Sequence, residues 1–292
     1  MDYELIDCGD LYKVERFGKY IITRPEPQAM WALKKPLEQW RSESDAFFER
    51  KKGDIVSNRD DSGNWETKKN MPNSWIMDCG IYNQKNIQVK LALTSFKHVG
   101  IFPEQQDNWT YLHDFIQEKS LVETDLNVLN LFAYTGMSSL VSASAGAKVV
   151  HVDSVKQVVN WSNENRLLSG IDPKIAWVIE DAIKYIKREI VRGKKYNIII
   201  LDPPAYGRGP NGEKWILEKE LFSLLSLCKK ILKETNATLI INLYSLNITP
   251  LLLENILKEA SIWTEKSYCI EQYIPYQRNR KLPLGVCARC IY

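Results

Sequence analysis

The sequence predicts an α/β fold: a small β-rich domain, then a seven-stranded, mostly parallel sheet that ends in an antiparallel hairpin. Between residues 98 and 260 apolar strands alternate with helices, which requires parallel strands with right-handed crossovers. Residues 266–274 and 284–291 are strand-like with no room for a helix between them, so they must form an antiparallel hairpin. Before these come short extended segments separated by turns. We therefore expect a β-rich domain over residues 1–97 and an α/β domain over residues 98–292.

The β-rich domain begins with three expected strands, Tyr3–Ile6, Leu11–Phe17 and Tyr20–Thr23. Gly18 stands between the second and the third, which indicates a tight hairpin. Residues 57–74 are polar and rich in Asn, Asp, Gly and Lys, as in a loop or a solvated hairpin. We expect this domain to help form the face that meets the substrate.

The first half of the α/β domain alternates helices and strands whose ends are marked by capping residues. The expected elements are, in chain order, a helix from the cap Asn108 through Glu118, the strand Val128–Phe132, the helix Met137–Ala145, the strand Lys148–Asp153, and a helix from the cap Ser154 to Ser169. Gly170 follows the last helix, and a glycine there favours the left-handed conformation that ends a helix.

The second half continues the alternation and adds one long connection. The expected elements are the strand Ala176–Glu180, a helix from Asp181 to about Arg192, the strand Tyr196–Leu201, a loop from Pro203 to Lys214, a helix from about Ile216 to Lys233, the strand Ala237–Leu243 and the helix Pro250–Ala260. The strand before Asp202 is strongly apolar, as expected for a parallel strand that is buried on both faces.

The composition favours a cytoplasmic protein. The first eight residues are acidic and are followed by polar residues, unlike a secretory signal peptide, and no apolar run approaches membrane-spanning length.

The chain has 6 cysteines and is too large to need disulfide bonds for stability, which fits a reducing compartment. Cys287 and Cys290 have the spacing of a zinc knuckle, but the two further ligands are missing nearby, so no metal is expected. The sequence leaves the oligomeric state open.

The formal net charge of +3 is too small to demand a polyanionic partner, so local clusters matter more. Basic residues cluster at Lys34–Lys35, Arg50–Lys52, Lys68–Lys69 and Arg278–Lys281. Each cluster fits either a solvated surface or part of a nucleic-acid footprint, and the sequence leaves both interpretations open.

Four positions are expected at the carboxyl ends of the parallel strands, where open α/β sheets bind ligands. The first is the segment Asn130–Gly136 (Asn-Leu-Phe-Ala-Tyr-Thr-Gly), which leaves the first parallel strand and opens a helix. Gly136 permits a tight turn and a close approach of the backbone to a ligand. Only one of the three glycines of a dinucleotide fingerprint is present, so the segment favours a ligand without phosphates.

Acidic residues follow the second and third parallel strands. Asp153 could accept both hydroxyls of a ribose through its two carboxylate oxygens, but either Asp153 or Ser154 could instead cap the next helix. A carboxylate of Glu180-Asp181-Ala182 could accept an adenine amino group, or it could stabilise a helix N terminus. Taken alone, each position leaves both alternatives open.

The fourth position is Asp202-Pro203-Pro204-Ala205-Tyr206, directly after the apolar fourth strand. Two prolines remove backbone donors and fix the chain, which predicts carbonyl groups aimed at the cleft. A rigid carbonyl pair followed by Tyr206 suits a planar base, although the motif also fits a simple strand terminator. Because this motif follows its strand just as the other three motifs follow theirs, a role in ligand binding is favoured over a simple strand terminator.

These motifs resemble those of the bacterial 23S ribosomal RNA large-subunit methyltransferase family, which modifies C5 of cytosine or N7 of guanine. The resemblance covers residues 96–292 and includes Phe96–Gln105 (FKHVGIFPEQ), Asn130–Gly136, His151–Ser154 and Leu201–Tyr206. It implies a Rossmann-like class I methyltransferase sheet, S-adenosylmethionine as cofactor, and RNA, above all ribosomal RNA, as substrate. The terminal hairpin and the missing glycines separate this class from nicotinamide dehydrogenases.

The resemblance also implies the residues of the site. Asp153 would lie at the ribose, Asp181 at the adenine, and the Asn130–Gly136 turn beneath the methionine part of the cofactor. The expected cofactor-binding residues are Asn130, Phe132, Ala133, Tyr134, Gly136, Asp153, Ser154, Asp181, Ala182 and Asp202. The expected catalytic residues are Asp202, Pro203, Pro204 and Tyr206: Tyr206 could stack on the base while Asp202 or the Pro203 carbonyl orients an amino group.

One departure from the family changes the expected acceptor atom. Cytosine-modifying members need a cysteine after the fourth or fifth strand, but this chain has Pro203–Tyr206 and Asn242–Asn247 there. Cys228 falls within a helix between Leu225 and Leu227, which favours a place in the core. The sequence therefore favours a base nitrogen, where catalysis needs alignment of acceptor, methyl group and sulfur more than a strong base.

Two other functions stay open. The modest charge allows a protein or small-molecule acceptor, and the family's N-terminal RNA-binding module is not recognisable here. A non-catalytic RNA-binding or assembly factor is disfavoured, because a scaffold has no chemical need for the acids Asp153 and Asp202 in a cleft.

Overall fold

The computed structural model describes residues 1–50, 63–95, 97–172, 175–209, 212–244, 248–276 and 280–292. The chain forms two compact units. The first contains residues 1–81, 86–104 and 273–284, and the second contains residues 82–85, 105–272 and 285–292. The expected domain boundary at residue 97 and the substrate-facing role of the first domain stay predictions.

The first unit is β-rich, as the sequence predicts. Its strands form a sheet of order β1-β2-β3-β4-β5, namely Tyr3–Gly9 (β1), Tyr12–Phe17 (β2), Tyr20–Pro25 (β3), Ala46–Arg50 (β4) and Gly63–Thr67 (β5). β2 and β3 form the hairpin expected around Gly18, with Phe17 opposite Tyr20. The helix Leu37–Glu43 (α1) connects β3 to β4, and these two strands are parallel. Ser74–Tyr82 (β6) and Lys85–Ala92 (β7) pair with each other.

Some residues with a predicted structure or role are not among the residues described. These include residues 57–62 of the expected polar loop, whereas Gly63–Thr67 forms a strand against β4. Phe96, residues 245–247, and parts of the basic clusters at residues 50–52 and 278–281 also lie outside the described residues.

The second unit contains the predicted seven-stranded sheet. In chain order its strands are Asn127–Leu131 (β8), Lys148–Asp153 (β9), Ile175–Ile179 (β10), Ile198–Leu201 (β11), Tyr206–Arg208 (β12), Lys214–Ile216 (β13), Thr238–Leu243 (β14), Tyr268–Tyr276 (β15) and Arg280–Ile291 (β16). β12 and β13 pair with each other, and the other seven form a sheet of order β10-β9-β8-β11-β14-β16-β15. The first five of these are parallel, and β16 is antiparallel to β14. Since β15 and β16 are neighbours joined by three residues, they form the expected antiparallel hairpin.

Helices connect the strands and cover the sheet. They are Gln106–Lys119 (α2), preceded by a 3₁₀ turn at Pro103–Gln105, Met137–Ser144 (α3), Lys156–Leu168 (α4), Ala182–Val191 (α5), Leu217–Ile231 (α6) and Pro250–Glu259 (α7). β11 and β14 are buried along their whole length, which explains their continuous apolar sequences. The strand order reverses between β8 and β11, so ligands are expected beyond the carboxyl ends of these two strands.

Two expected helix caps are wrong. Asn108 lies inside α2, which begins two residues earlier, and its side chain is buried by contacts with the sheet strands. α4 begins after Val155, and the Val155 amide donates to Asp153, so Ser154 has no capping hydrogen bond. Gly170, in contrast, has the expected left-handed conformation, with φ of 58°.

The connection after β11 also differs from the expected loop. It contains the short hairpin β12–β13, in which Tyr206 lies opposite Ile216 and Arg208 opposite Lys214. This hairpin is difficult to predict from sequence, because each strand is only three residues long.

Candidate functional site

The turn after β8 has an unusual backbone. Phe132 and Tyr134 have positive φ angles of 55° and 49°, and Gly136 has a φ of 89°. Residues other than glycine rarely adopt this conformation, and those that do cluster at ligand sites. The turn is fixed to β9, because the Ala133 amide donates to the β9 backbone at 3.1 Å and the Tyr134 amide donates to Oδ2 of Asp153 at 2.9 Å.

Gly136 is required by space as well as by its φ angle. A Cβ atom at this position would lie 1.8 Å from Oγ of Ser162 on α4. Asn165, one turn further along α4, donates from Nδ2 to the Thr135 carbonyl at 3.0 Å. α4 therefore packs directly beneath the turn, which leaves no room for a side chain at Gly136.

The side chain of Asn130 is engaged in the protein interior. Its Nδ2 donates to Oγ of Ser139 at 2.9 Å, and that hydroxyl lies 3.0 Å from Nδ1 of His151. All three residues are buried, and burial lowers the pKa of His151 to about 3, so its ring is neutral. The side chain of Asn130 therefore stabilises the turn from the protein interior. Its role as a cofactor-binding residue stays a prediction.

Asp153 ends β9 with both carboxylate oxygens bound to backbone amides. Oδ2 accepts from Tyr134 and Oδ1 from Val155, each at 2.9 Å. Burial raises the pKa of Asp153, and the backbone hydrogen bonds oppose this rise. Each oxygen has the capacity to accept a second hydrogen bond, so the carboxylate fits a pair of ribose hydroxyls.

The acids after β10 stabilise the start of α5. Asp181 is the N-cap, and its Oδ1 accepts from the Lys184 amide at 2.9 Å. Glu180 forms an ion pair with Arg188. The structural interpretation of these acids is therefore correct, and the role of Asp181 at the adenine stays a prediction.

Trp215 on β13 fixes the edge that follows β11. Its indole Nε1 donates to the Pro204 carbonyl, and its ring packs on Phe132 with 5.0 Å between the ring centroids. The Pro204 carbonyl, one of the pair expected to be aimed at the cleft, is therefore occupied by Trp215, because a buried indole needs an acceptor. The Pro203 carbonyl remains the candidate.

The four positions singled out in the sequence meet at one cleft that opens to solvent. Expected site residues that line it are Phe132, Asp153, Ser154, Asp181, Ala182 and Pro204. It is further lined by Val152, Glu180, Gly207, Arg208, Gly209 and Trp215. The expected residues that do not line it are Asn130, Ala133, Tyr134, Gly136, Asp202, Pro203 and Tyr206.

A buried polar network that the sequence analysis missed lies behind Asp202. Nε2 of Gln105 donates to Oδ2 of Asp202 at 3.3 Å and to the Tyr244 hydroxyl. Oε1 of Gln105 accepts from Asn108 at 2.8 Å. Gln105 ends the Phe96–Gln105 segment of the resemblance, and that position was the only signal for its role.

Asn108 connects this network to the far strands of the sheet. Its Nδ2 donates to Oδ1 of Asn242 at 2.8 Å, and the same oxygen accepts from Gln272 at 3.0 Å. Its own Oδ1 accepts from Arg289 at 2.7 Å. Asn108 therefore joins α2 directly to β14 and β16, and Asn242 extends the network to β15.

The cysteines are poorly suited to nucleophilic attack. Cys8, Cys79, Cys228, Cys287 and Cys290 are buried, and Cys269 is half-buried. Burial raises the pKa of the Cys287 and Cys290 thiols to about 12 and that of Cys269 to about 11. Cys228 is buried in α6, as expected for a core residue. No cysteine is among the described residues that line the cleft.

Comparison with known proteins identifies the family. Residues 17–266 match a family model described as S-adenosylmethionine-dependent methyltransferase. The chain belongs to this family. The methyltransferase also resembles a crystal structure of the S-adenosylmethionine-dependent methyltransferase from Agrobacterium tumefaciens, with 33% sequence identity and a TM-score of 0.87 over 100% of this chain and 90% of that chain. Its fold class, its enzymatic nature and its cofactor, S-adenosylmethionine, are therefore as the sequence predicted.

Curated relatives match part of the methyltransferase. It is 30% identical over 155 residues to ribosomal RNA large subunit methyltransferase K/L of Shewanella frigidimarina, covering 52% of this chain and 20% of that protein. It is 27% identical over 128 residues to ribosomal RNA large subunit methyltransferase I of Shewanella amazonensis, covering 43% of this chain and 31% of that protein. The chain therefore spans less than a third of the length of these curated relatives.

Two further observations concern the described part of the methyltransferase. None of its helices is both long enough and apolar enough to cross a membrane. Within the same residues, no three His, Cys, Asp or Glu side chains come together in a group that could hold a metal ion.

Proposed function

We propose that this methyltransferase transfers the methyl group of S-adenosylmethionine to a nitrogen of an RNA base, with ribosomal RNA as the acceptor. One observation carries the proposal: the described lining of the cleft has carboxylates and a proline edge but no thiol. A base nitrogen offers its own lone pair, whereas C5 of cytosine must first be activated by covalent attack. The names of the curated relatives support ribosomal RNA as the acceptor.

The cofactor's sulfonium supplies an electrophilic methyl group. We assign Asp153 to the ribose hydroxyls, because each carboxylate oxygen can accept a second hydrogen bond beside its backbone amide. Asp181 and Ala182 hold the adenine at the start of α5, and the Phe132–Gly136 turn lies beneath the methionine part. The single glycine of this turn suits a cofactor without phosphates.

The acceptor base lies against the Asp202-Pro203 edge. Gln105 holds the Asp202 carboxylate, and the Pro203 carbonyl is the remaining acceptor of the proline pair, because Trp215 occupies the Pro204 carbonyl. Tyr206 is 43% exposed and offers an aromatic face for stacking. These groups align the nitrogen with the methyl group, which is the main requirement of this transfer. Because its proposed substrate, ribosomal RNA, is in the cytoplasm, we propose the same location for the enzyme.

Mass spectrometry of nucleosides tests the acceptor. Ribosomal RNA from cells without the gene should lack one N-methylated base, which the wild-type gene restores and a gene carrying Asp202→Ala does not. An unchanged set of methylated nucleosides would exclude ribosomal RNA and leave a protein or small-molecule acceptor.

Calorimetry tests the cofactor site separately. S-adenosylmethionine should bind the wild-type protein, and Asp153→Ala should weaken binding at least about tenfold, because two hydrogen bonds to a charged group are lost. Asp125→Ala is the matched control, because Asp125 is an exposed acid that precedes β8 at the opposite edge of the sheet. Equal affinities of the two variants would contradict the assignment of Asp153.

A further inference from the structure

The hairpin β12–β13 has two chemically different faces. Residues directly opposite each other in an antiparallel pair share a face, and so do residues two apart in one strand. Tyr206, Arg208, Lys214 and Ile216 therefore share one face, on which the first three are exposed and Ile216 is half-buried. Gly207 and the buried Trp215 form the other face, and they line the cleft together with Arg208.

The hairpin is anchored to the domain. Trp215 is held by the Pro204 carbonyl and by the Phe132 ring. The Ser154 hydroxyl donates to the Arg208 carbonyl at 3.4 Å, and the Leu217 amide donates to Ala205 at 3.0 Å. The positions of the exposed side chains are therefore fixed relative to the cleft.

Arg208 and Lys214 are like charges placed directly opposite each other. Such a cross-strand pair is destabilising unless a counter-charge lies nearby. Neither side chain has an ion-pair partner among the described residues, and the nearby acid Glu213 pairs with Lys184 instead. Two exposed cations without an ion-pair partner among the described residues are suited to an anion from outside the protein.

We propose that the exposed face of β12–β13 binds the phosphates that flank the target nucleotide in single-stranded RNA. The inference rests on the proposed function, since it requires an RNA acceptor. An aromatic ring beside two cations is the combination that single-strand binding surfaces use, with the ring stacking on a base and the cations neutralising the backbone. Because the hairpin directly follows the Asp202-Pro203-Pro204 edge, phosphates on this face place the intervening base at the cleft.

The salt dependence of RNA binding tests the number of phosphate contacts. Fluorescence anisotropy with a labelled single-stranded RNA should give a slope of log affinity against log salt that is shallower by about 1.4 in Arg208→Gln/Lys214→Gln, since each contact to single-stranded nucleic acid contributes about 0.7. Lys194→Gln/Lys230→Gln is the matched control, because it removes two exposed cations that precede strands at the opposite edge of the sheet. The control should keep the wild-type slope.

Lys214→Glu separates binding from folding. It replaces the like-charge pair with an attractive one, so we expect a melting temperature equal to or above that of the wild type together with weaker RNA binding. Lys214 does not line the cleft, so the affinity for S-adenosylmethionine should not change. A charge reversal at Lys194 is the control and should leave RNA affinity almost unchanged.

The outcomes distinguish this inference from the proposed function. If the wild-type protein methylates RNA, but the hairpin variants and their controls have equal RNA affinities and salt slopes, the inference is wrong and the function stands. If the wild-type protein binds the cofactor but neither binds nor methylates RNA, the proposed function is wrong and the inference falls with it.

Discussion

The amide of Gln105 reaches Oδ2 of Asp202 across 3.3 Å, and the same nitrogen donates to the Tyr244 hydroxyl. Gln105 is itself held by Asn108 and is only 5% exposed. The carboxylate at the end of β11 is therefore backed by a buried, hydrogen-bonded amide. In the proposed reaction this contact positions Asp202, and Gln105 does not touch the reacting atoms.

Gln105→Met tests this positioning. The substitution keeps the length of the side chain but removes both donors, so we expect kcat to fall about tenfold or more, since a displacement of about 1 Å can cost up to about a hundredfold in rate. The affinity for S-adenosylmethionine should change little. Tyr244→Phe is the matched control, because it removes one partner of the same amide and leaves the contact with Asp202. Steady-state kinetics measure kcat and KM of both variants. Equal decreases in kcat, or an effect on KM alone, would exclude a positioning role for Gln105.

Cofactor affinity should depend on pH through Asp153. Burial raises the pKa of this carboxyl above its ordinary value. Ribose hydroxyls favour the charged form, so affinity should be full above the raised pKa and decline as the pH falls through it, starting at a higher pH than for an ordinary aspartate. The stability of the free protein should respond in the opposite direction: this group contributes stability below its unfolded pKa of about 3.9, and that contribution is lost as the pH rises through the folded pKa.

Calorimetry between about pH 7 and about pH 4 measures this dependence around the ordinary carboxyl pKa of about 3.9. Asp153→Asn should bind more weakly at neutral pH and show a flatter profile. Parallel profiles of the two proteins would assign the titration to another group.

Gly136→Ala should destabilise the protein by a clash as well as by backbone strain. The new Cβ would meet Oγ of Ser162 at 1.8 Å, and overpacking of this kind costs about 1–3 kcal/mol beyond the strain of a positive φ. Gly146→Ala is the matched control, because its φ is also positive, at 107°, but a Cβ there meets nothing within 4 Å. Urea unfolding compares the two. Adding Ser162→Ala should recover part of the loss in the Gly136 variant, and no recovery would mean that the clash is not the cause.

Asn108→Leu should lower the free energy of unfolding by about 3 kcal/mol or more, because it leaves the buried Arg289 guanidinium without its main acceptor. Asn160→Leu is the control, since Asn160 is exposed on α4, and surface changes usually stay within about 0.5 kcal/mol. Denaturant titration measures both variants. Similar losses at the two positions would refute the structural role of Asn108.

The protein should form no covalent adduct with RNA. Burial raises the pKa of the half-buried Cys269 thiol to about 11, so little thiolate exists at neutral pH. RNA that contains 5-fluorocytosine, which traps cysteine adducts, should therefore leave the protein unshifted on a denaturing gel. A shifted band would return cytosine C5 to consideration, and Cys269→Ser would show whether this thiol is responsible.

The sequence predicts the elements of this fold well but the side-chain partners poorly. Apolar runs and their spacing locate β8 to β11, because a strand buried on both faces leaves a local signature. The role of Asn108 has no local signature: its partners Asn242 and Arg289 are more than a hundred residues away in the chain. A polar residue near a helix start was therefore misread as a cap.

In the candidate site, too, the sequence predicts positions at strand ends better than it predicts side-chain partners. Asp153 and Asp181 could be located from strand ends alone, because the carboxyl ends of parallel strands meet at one edge. The bond between Trp215 and Pro204 was not foreseeable, since it depends on the hairpin β12–β13 folding back over the cleft. For that reason the sequence did not reveal that the Pro204 carbonyl already accepts a hydrogen bond within the protein.

The strand order of the second unit also fixes an order of assembly. β16 lies between β14 and β15, although β15 precedes it in the chain. β15 and β16 can pair locally as a hairpin, but this hairpin joins the parallel strands only when β16 has closed a long loop back to β14, where Ile291 meets Thr238. Closing such a loop carries an entropic cost before any contact is gained, so this edge of the sheet should form late in folding. Until then β14 exposes an unpaired strand edge, which could pair with another chain and begin aggregation.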